Sequence, residues 1–344
     1  MTAATLAAAV MIVATGSALA ECQAGETVIR FVHQPSPQDP ARTRAANGLK
    51  AAVDGALQGR ACLRIDTGEA FADRSVLAAL AEGKGDLSAP TAETVTLAAP
   101  VYGVFALPFA FRDLLTAERF AILARQPLTE ALSGYRLRPL GHWTGTMRQL
   151  AGRRAALTPQ ALAGARVAWE VKGNRRALAR RLRITFPRTE AADPMEAVAA
   201  GALDLAETTW RQLAVPPRAA ATAEAAGAAT ETATTDDVET VETNHRYRGY
   251  VLLASQAFLD GLKPADRDVL LRVVARTTRQ ANAETRRRAL AAARVVMRRD
   301  APVWTITDAQ RRLWRDAFSQ SWSDYRRGAP GTILDLLSDA NRAP

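Results

Sequence analysis

The side chains best suited to metal or nucleophilic chemistry are His33, His142, His245, Cys22 and Cys62, and their spacing supports neither. No histidine has a partner at metal-ligand spacing, and H-E-x-x-H, G-x-S-x-G and G-x-x-x-x-G-K-[ST] are all missing. Gly83-Lys84-Gly85 lacks the third glycine of a dinucleotide fingerprint. Cys22 and Cys62 do not form a C-x-x-C, which argues against thioredoxin-like redox chemistry and zinc knuckles. In an oxidising compartment this even pair suggests one disulfide, tying the mature N-terminus to an extended segment at Arg60–Ile65; two unpaired small apolar side chains are the alternative. No catalytic residue, metal or cofactor is expected. The chemistry left is that of binding.

Basic residues are the other candidates. The chain has 344 residues, 45 basic and 35 acidic, for a formal charge of +10, and all but four of the basic residues are arginine. Arg272, Arg276, Arg279, Arg286, Arg287, Arg288, Arg294, Arg298 and Arg299 crowd one predicted helix, where a polyanion site would have to lie. They fall on several faces, Asp266, Asp268 and Glu284 interrupt them, and no aromatic residues for base stacking are interleaved. We read a solvated helix and no nucleic-acid partner.

The N-terminus supplies an address. Leu6–Ala14 is almost wholly apolar and runs into Ser17-Ala18-Leu19-Ala20, a small-x-small pattern for signal peptidase, so residues 1–20 are read as a cleaved signal peptide and the mature protein as periplasmic. The apolar run is shorter than the roughly 20 residues a membrane span requires, and no stable membrane insertion is expected.

The elements that must position a binding site follow from periodicity. Val28–His33 and Cys62–Ile65 are predicted strands, with helices at Ala41–Leu57 and about Asp73–Glu82 and an apolar strand near Asp86–Ala89. Leu137–Trp143, Arg166–Glu170 and Ala202–Ala206 repeat the pattern, with helices opening at Thr158-Pro159 and Asp193-Pro194, the latter read as a capping box with Glu196. This alternation predicts an α/β fold with a parallel sheet. The 215–238 segment, rich in Ala, Thr and Glu, is read as a flexible surface insertion. Tyr250–Ala254 is a buried strand, Pro264 to about Arg299 one long helix, and Thr307-Asp308-Ala309-Gln310 caps a last helix carrying Leu313, Trp314, Phe318 and Trp322. A length of 344 exceeds what one core supports and predicts two lobes.

Several segments resemble, in order, those of the DctP-type solute-binding proteins of TRAP transporters. Gly103–Asp113 is similar to a "PFLFRD" signature, Trp143–Arg148 to "W-x-x-G-F-R", Thr158–Gly164 to "TPEDLKG" and Met195–Glu207 to "EVYxALQxGVVDGxE". The resemblance runs from about residue 26 to 325 without the 215–238 insertion. It implies a two-lobed, type II-like periplasmic binding protein with a hinge, a ligand cleft and a long helix spanning both lobes. Lobe I would comprise 21–148 plus about 248–275, and lobe II 149–247 plus about 276–338. The protein would capture a small organic acid, one atypical for the family, and deliver it to the membrane permease. A scaffold reused as a secreted sensor or interaction subunit is the alternative.

The resemblance also implies the site. Arg148 matches one of the family's two carboxylate-gripping arginines, whereas the position of the second, in "GLKIRV", is held by Ala168. Arg166, two residues earlier, is a candidate substitute for a shifted ligand, and Glu170, two residues later, would repel an anion. Glu207 matches the acidic residue of "DGxE", Thr208 replaces the asparagine that follows it, and Trp210, like Trp143 and Trp169, either packs or stacks on a ligand. Phe109 and Phe111 are read as core.

Overall fold

The computed structural model describes residues 22–35, 40–72, 75–170, 175–188, 193–215 and 238–342. The predicted signal peptide, 1–20, and nearly all of the predicted 215–238 insertion lie outside them. Among the described residues eight strands form one sheet: β1 Thr27–His33, β2 Ala61–Thr67, β3 Leu87–Ser88, β4 Leu137–Gly152, β5 Val167–Ala168, β6 Leu205–Thr208, β7 Glu239–Ser255 and β8 Val303–Thr305. Their order is β2-β1-β3-β7-β4-β6-β5, with β8 against β7.

The sheet is mixed, which corrects the parallel expectation. β1 pairs in parallel with β2 and β3, and β5 with β6, as strand–helix–strand units require. These two parallel groups are joined by β4 and β7, which run antiparallel to each other, while β7 meets β3 and β4 meets β6 antiparallel. Both joining strands are longer than their apolar cores suggest, because each carries a polar stretch: β7 begins at Glu239 rather than Tyr250, and β4 extends past Trp143 to Gly152.

Alternation along these strands builds two pairs of cores. In the β1–β3 half, Val251 and Leu253 face a cluster with Tyr102, Phe105, Phe111, Phe120 and Trp322, while Tyr250, Leu252 and Ala254 face Ile29, Phe31, Leu49 and Trp143. In the β5–β6 half, Leu150, Val167, Leu205 and Val241 meet Trp169 and Trp314, and on the other face Ala151 and Ala206 meet Met195, Val198 and Trp210. The long helix, Pro264–Met297, packs Leu270, Val273 and Val274 on the first half and Ala293 and Val296 on the second. Midway along it, Asn282 Nδ2 donates to the His142 carbonyl at 3.0 Å and its Oδ1 accepts the Thr144 N–H at 2.9 Å, which pins β4 just before a bulge.

That bulge explains Gly145, which lies one residue before the motif's glycine position, held here by Thr146. The register between β4 and β7 shifts between Trp143 and Thr146, and the β7 backbone comes so close that a Cβ on Gly145 would lie 2.0 Å from the Arg248 carbonyl oxygen. Three local readings also change. Asp193 caps its helix by accepting the Met195 N–H at 2.9 Å, Thr158 makes no side-chain cap, and the last predicted helix splits at Phe318 into Asp308–Ala317 and Ser319–Gly328. Phe318 leaves helical geometry and packs on Phe109 and Trp169. The Thr307–Gln310 capping box is present. Cys22 and Cys62 form a disulfide with Cα atoms 5.4 Å apart, joining the described N-terminus to β2. Among the described residues no helix is long and apolar enough to cross a membrane.

Candidate functional site

A cavity of about 660 Å³ opens between the two halves. Its walls are the Thr91–Leu97 turn, the Gly103–Pro108 turn, Trp169 and Glu170 after β5, one face of the Arg175–Leu182 helix, the His245–Gly249 stretch of β7 and the Ala317–Tyr325 region. Apolar groups such as Phe105, Leu107, Trp169 and Phe318 line it together with Glu93, Glu170, Arg181, Arg246, Arg248 and Asp324. A mostly apolar concavity with a few charged groups is the usual form of a small-molecule site, and its size falls within the roughly 300–1,000 Å³ typical of them.

Register assembles a charged group at and behind this wall, where Glu170 and Arg246 line the cavity and Arg148 and Glu207 do not. Arg148 on β4 and Arg246 on β7 are directly paired across the antiparallel ladder, so both side chains project from the same face. Two cations facing each other repel unless an anion lies between them. Two carboxylates do. Glu207 on β6 comes within 3.2 Å of Arg246, and Glu170 Oε2 lies 2.5 Å from Arg246 Nη2 and 4.0 Å from Arg148 Nη2. Both arginine side chains are mostly buried, Arg148 at 15% exposure and Arg246 at 14%, whereas Glu170 is 48% exposed.

The two arginines differ in how well they are satisfied. Burial disfavours charge on both, but the paired carboxylates outweigh it at Arg246, whose pKa is raised, and fail to do so at Arg148, whose pKa is lowered. The Nε of each is buried without a hydrogen-bond partner among the described residues, but the Arg246 Nη atoms donate to Glu170 and Glu207, whereas the Glu170 carboxylate, 4.0 Å from Arg148 Nη2, is too distant to accept a hydrogen bond from it.

Glu207 anchors the group. Burial works to raise its pKa, but the hydrogen bond from His245 and the charges around it prevail and hold it down to about 2, so it is an anion at neutral pH. Burial lowers the pKa of His245 and keeps its ring neutral. A neutral ring facing a carboxylate must donate, so His245 Nε2–H points to Glu207 Oε1 at 3.1 Å and Nδ1 accepts the Thr243 hydroxyl at 2.7 Å. The β7 backbone at His245 is itself held, because the Phe109 N–H donates to the His245 carbonyl at 2.8 Å. Phe109 adopts a left-handed conformation, φ 57°, to do so, and is buried against Trp314.

The sequence-derived candidates therefore divide. Arg148, Glu170 and Glu207 converge. Arg166 lies outside the cavity wall and is bound in a fork by Asp204, at 2.8 Å from Nη2 and 3.3 Å from Nε, fastening the start of β5 to the turn before β6. Ala168 packs beside Ala151, Ala206 and Trp210, on the sheet face opposite Leu150 and Trp169. Thr208 is buried with its hydroxyl unpartnered among the described residues, and Trp210 is core. Phe109 and Phe111 are core as read. Trp169 lines the cavity and meets the His245 ring edge-on at 5.0 Å. Arg246, His245, Arg248 and Arg181 are the residues that motif matching passed over. The signal for the first and third was present: two arginines at i and i+2 lie in Asn244-His245-Arg246-Tyr247-Arg248, directly before an apolar strand.

Among the described residues no group of His, Cys, Asp and Glu is arranged to hold a metal ion. What the wall can do is grip an anion with guanidinium groups while its apolar surfaces hold the rest of a small molecule.

Comparison with known proteins agrees with this geometry. The bacterial extracellular solute-binding proteins of family 7, the DctP family, match residues 31–213 and 224–328. The C4-dicarboxylate-binding periplasmic protein DctP of Vibrio cholerae is 25% identical over 342 residues, 98% of each chain. A TRAP periplasmic solute-binding protein of Shewanella oneidensis, solved with bound succinate, superimposes with a TM-score of 0.68 at 20% identity over 92% of this chain and all of its own. One from Ochrobactrum anthropi, whose C-terminus is bound in the ligand-binding pocket, gives 0.74 at 16% identity over 92% of this chain and 95% of its own. This chain belongs to the DctP family of extracellular solute-binding proteins.

Proposed function

We propose that this protein captures a small organic acid in the cavity between its two halves and passes it to the membrane permease of a TRAP transporter. The observation that carries the reading is the directly opposed, buried pair Arg148 and Arg246 on adjacent strands, with no hydrogen-bond acceptor for the Arg148 side chain among the described residues. A buried, under-satisfied guanidinium is costly, and a carboxylate is the group whose planar fork matches it. The second guanidinium that the sequence lacks at Ala168 is supplied from β7 by Arg246. The relatives support the class of ligand: the Vibrio protein is named for C4-dicarboxylates, the Shewanella protein holds succinate, and the Ochrobactrum protein holds a chain terminus.

The grouping of the apolar clusters supports two lobes, one built on β1–β3 and one on β5–β6, hinged across β4 and β7 and bridged by the long helix. Trp322, Ile333 and Leu337 pack on the first, so the chain beyond Ser319 goes with lobe I rather than the second lobe. Residues 1–20 are taken as the export signal, which places the mature protein in the periplasm.

A thermal-shift screen of mono- and dicarboxylates, sugar acids, amines and neutral sugars tests the reading. Acids raising the melting temperature above all other classes is the expected result. A response confined to amines or neutral sugars overturns it.

A further inference from the structure

We infer that Glu170 is a specificity-determining residue whose carboxylate occupies the seat that a ligand carboxylate takes, so that binding is an exchange of one carboxylate for another. The inference rests on reading the cavity as an organic-acid site. Its basis is the unequal way in which Glu170 is held. The backbone is fixed on both sides, its N–H donating to Glu207 Oε2 at 3.0 Å and its carbonyl accepting from Arg246 Nη1 at 3.1 Å. The side chain is 48% exposed, lines the cavity and rests on Arg246 Nη2 at 2.5 Å.

Glu170 also stands between Arg148 and the cavity. Glu170 lines the cavity and Arg148 does not, and they meet at 4.0 Å. Rotation of the Glu170 side chain about its own bonds leaves its backbone contacts intact, turns the carboxylate out to water and opens both guanidinium groups to a ligand. Arg246 keeps Glu207 throughout, within 3.2 Å, so the departure of Glu170 leaves no bare cation there. The charge at the seat is the same before and after an incoming monoanion arrives, and a ligand carboxylate free to approach Arg148 more closely than the tethered one satisfies the group that Glu170 leaves wanting.

An internal competitor acts at a high effective concentration and weakens every acid that must displace it. Removing it has the opposite effect. In Glu170→Gln, which keeps the side-chain shape, succinate binding by calorimetry is expected to tighten about tenfold, equivalent to about 1.4 kcal/mol. In Glu170→Ala, sodium acetate is expected to raise the melting temperature, with sodium chloride as control, while the parent protein responds much less because its seat is filled. Equal acetate responses in parent and Glu170→Ala, or succinate binding that is unchanged or weaker in Glu170→Gln, overturns the proposal; weaker binding would mean that Glu170 contacts the ligand instead of yielding to it. The underlying organic-acid reading fails separately, if succinate stabilises Arg246→Ala as much as the parent. If no carboxylate stabilises the parent or either Glu170 variant, both fall.

Discussion

Arginine serves opposite purposes in two regions of this molecule. On the long helix, Arg287 and Arg288 are 69% and 60% exposed and share Glu284 one turn away, an arrangement that screens easily and positions nothing. On the sheet, Arg148 and Arg246 are 15% and 14% exposed, face each other across a ladder and depend on two carboxylates for compensation. The same residue type is solvated surface in one place and, in the proposed function, a binding seat in the other. Burial and register decide which, and the net charge of +10 registers neither.

The contrast makes ranked expectations. Glu207→Ala strikes the buried group hardest, since it strands His245 and leaves Arg246 and Arg148 with only the half-exposed Glu170; losing one partner of a buried ion pair costs about 3–5 kcal/mol, read as a shift in the urea midpoint. A smaller but still large effect concerns buried rings that must stay neutral. His142 packs against both Tyr102 and Phe105 with no hydrogen-bond partner at Nε2 among the described residues, and burial pushes its pKa down to about 4. Because the unfolded ring takes up its proton near the ordinary value of about 6.5, this stabilisation is complete above that pH and is lost as pH falls towards 4, amounting to about 3 kcal/mol. His33, lowered to about 4 by burial and by Arg42, adds to the same slope. Unfolding followed from pH 7 to 4 should show the loss, and His142→Phe should flatten it. At the bottom of the scale, Arg287→Ala and Arg288→Ala together should leave both the urea midpoint and acid binding unchanged. A marked effect from them would break the contrast.

Much of the scaffold was legible in the sequence. Val28–His33, Ala41–Leu57 and Pro264–Arg299 lie within a residue or two of their elements, because each has an uninterrupted apolar period. The joining strands were legible only in part. β4 and β7 carry charges that alternate towards a buried binding face, and periodicity treats such residues as surface, so Arg246 and His245 stood outside the predicted strand. Arg148, Glu170 and Glu207 came from motif order, yet the contact of Glu170 with Arg246 did not: it depends on a turn after β5 that fixes the Glu170 backbone. Arg166 shows the converse error. Its sequence position beside Ala168 suggested a substitute clamp, but on an edge strand the nearer carboxylate, Asp204, takes it.

The central claim is that Arg148 and Arg246 together form the anion seat. Titrating the acid that gives the largest thermal shift into the parent, Arg148→Ala, Arg246→Ala and Arg287→Ala by calorimetry tests it most directly. Loss of roughly 10–100-fold in affinity, the value of charge-assisted hydrogen bonds to a carboxylate, is expected for Arg148→Ala and Arg246→Ala, with Arg287→Ala unchanged. Parent-like affinity in a folded Arg246→Ala would contradict the account.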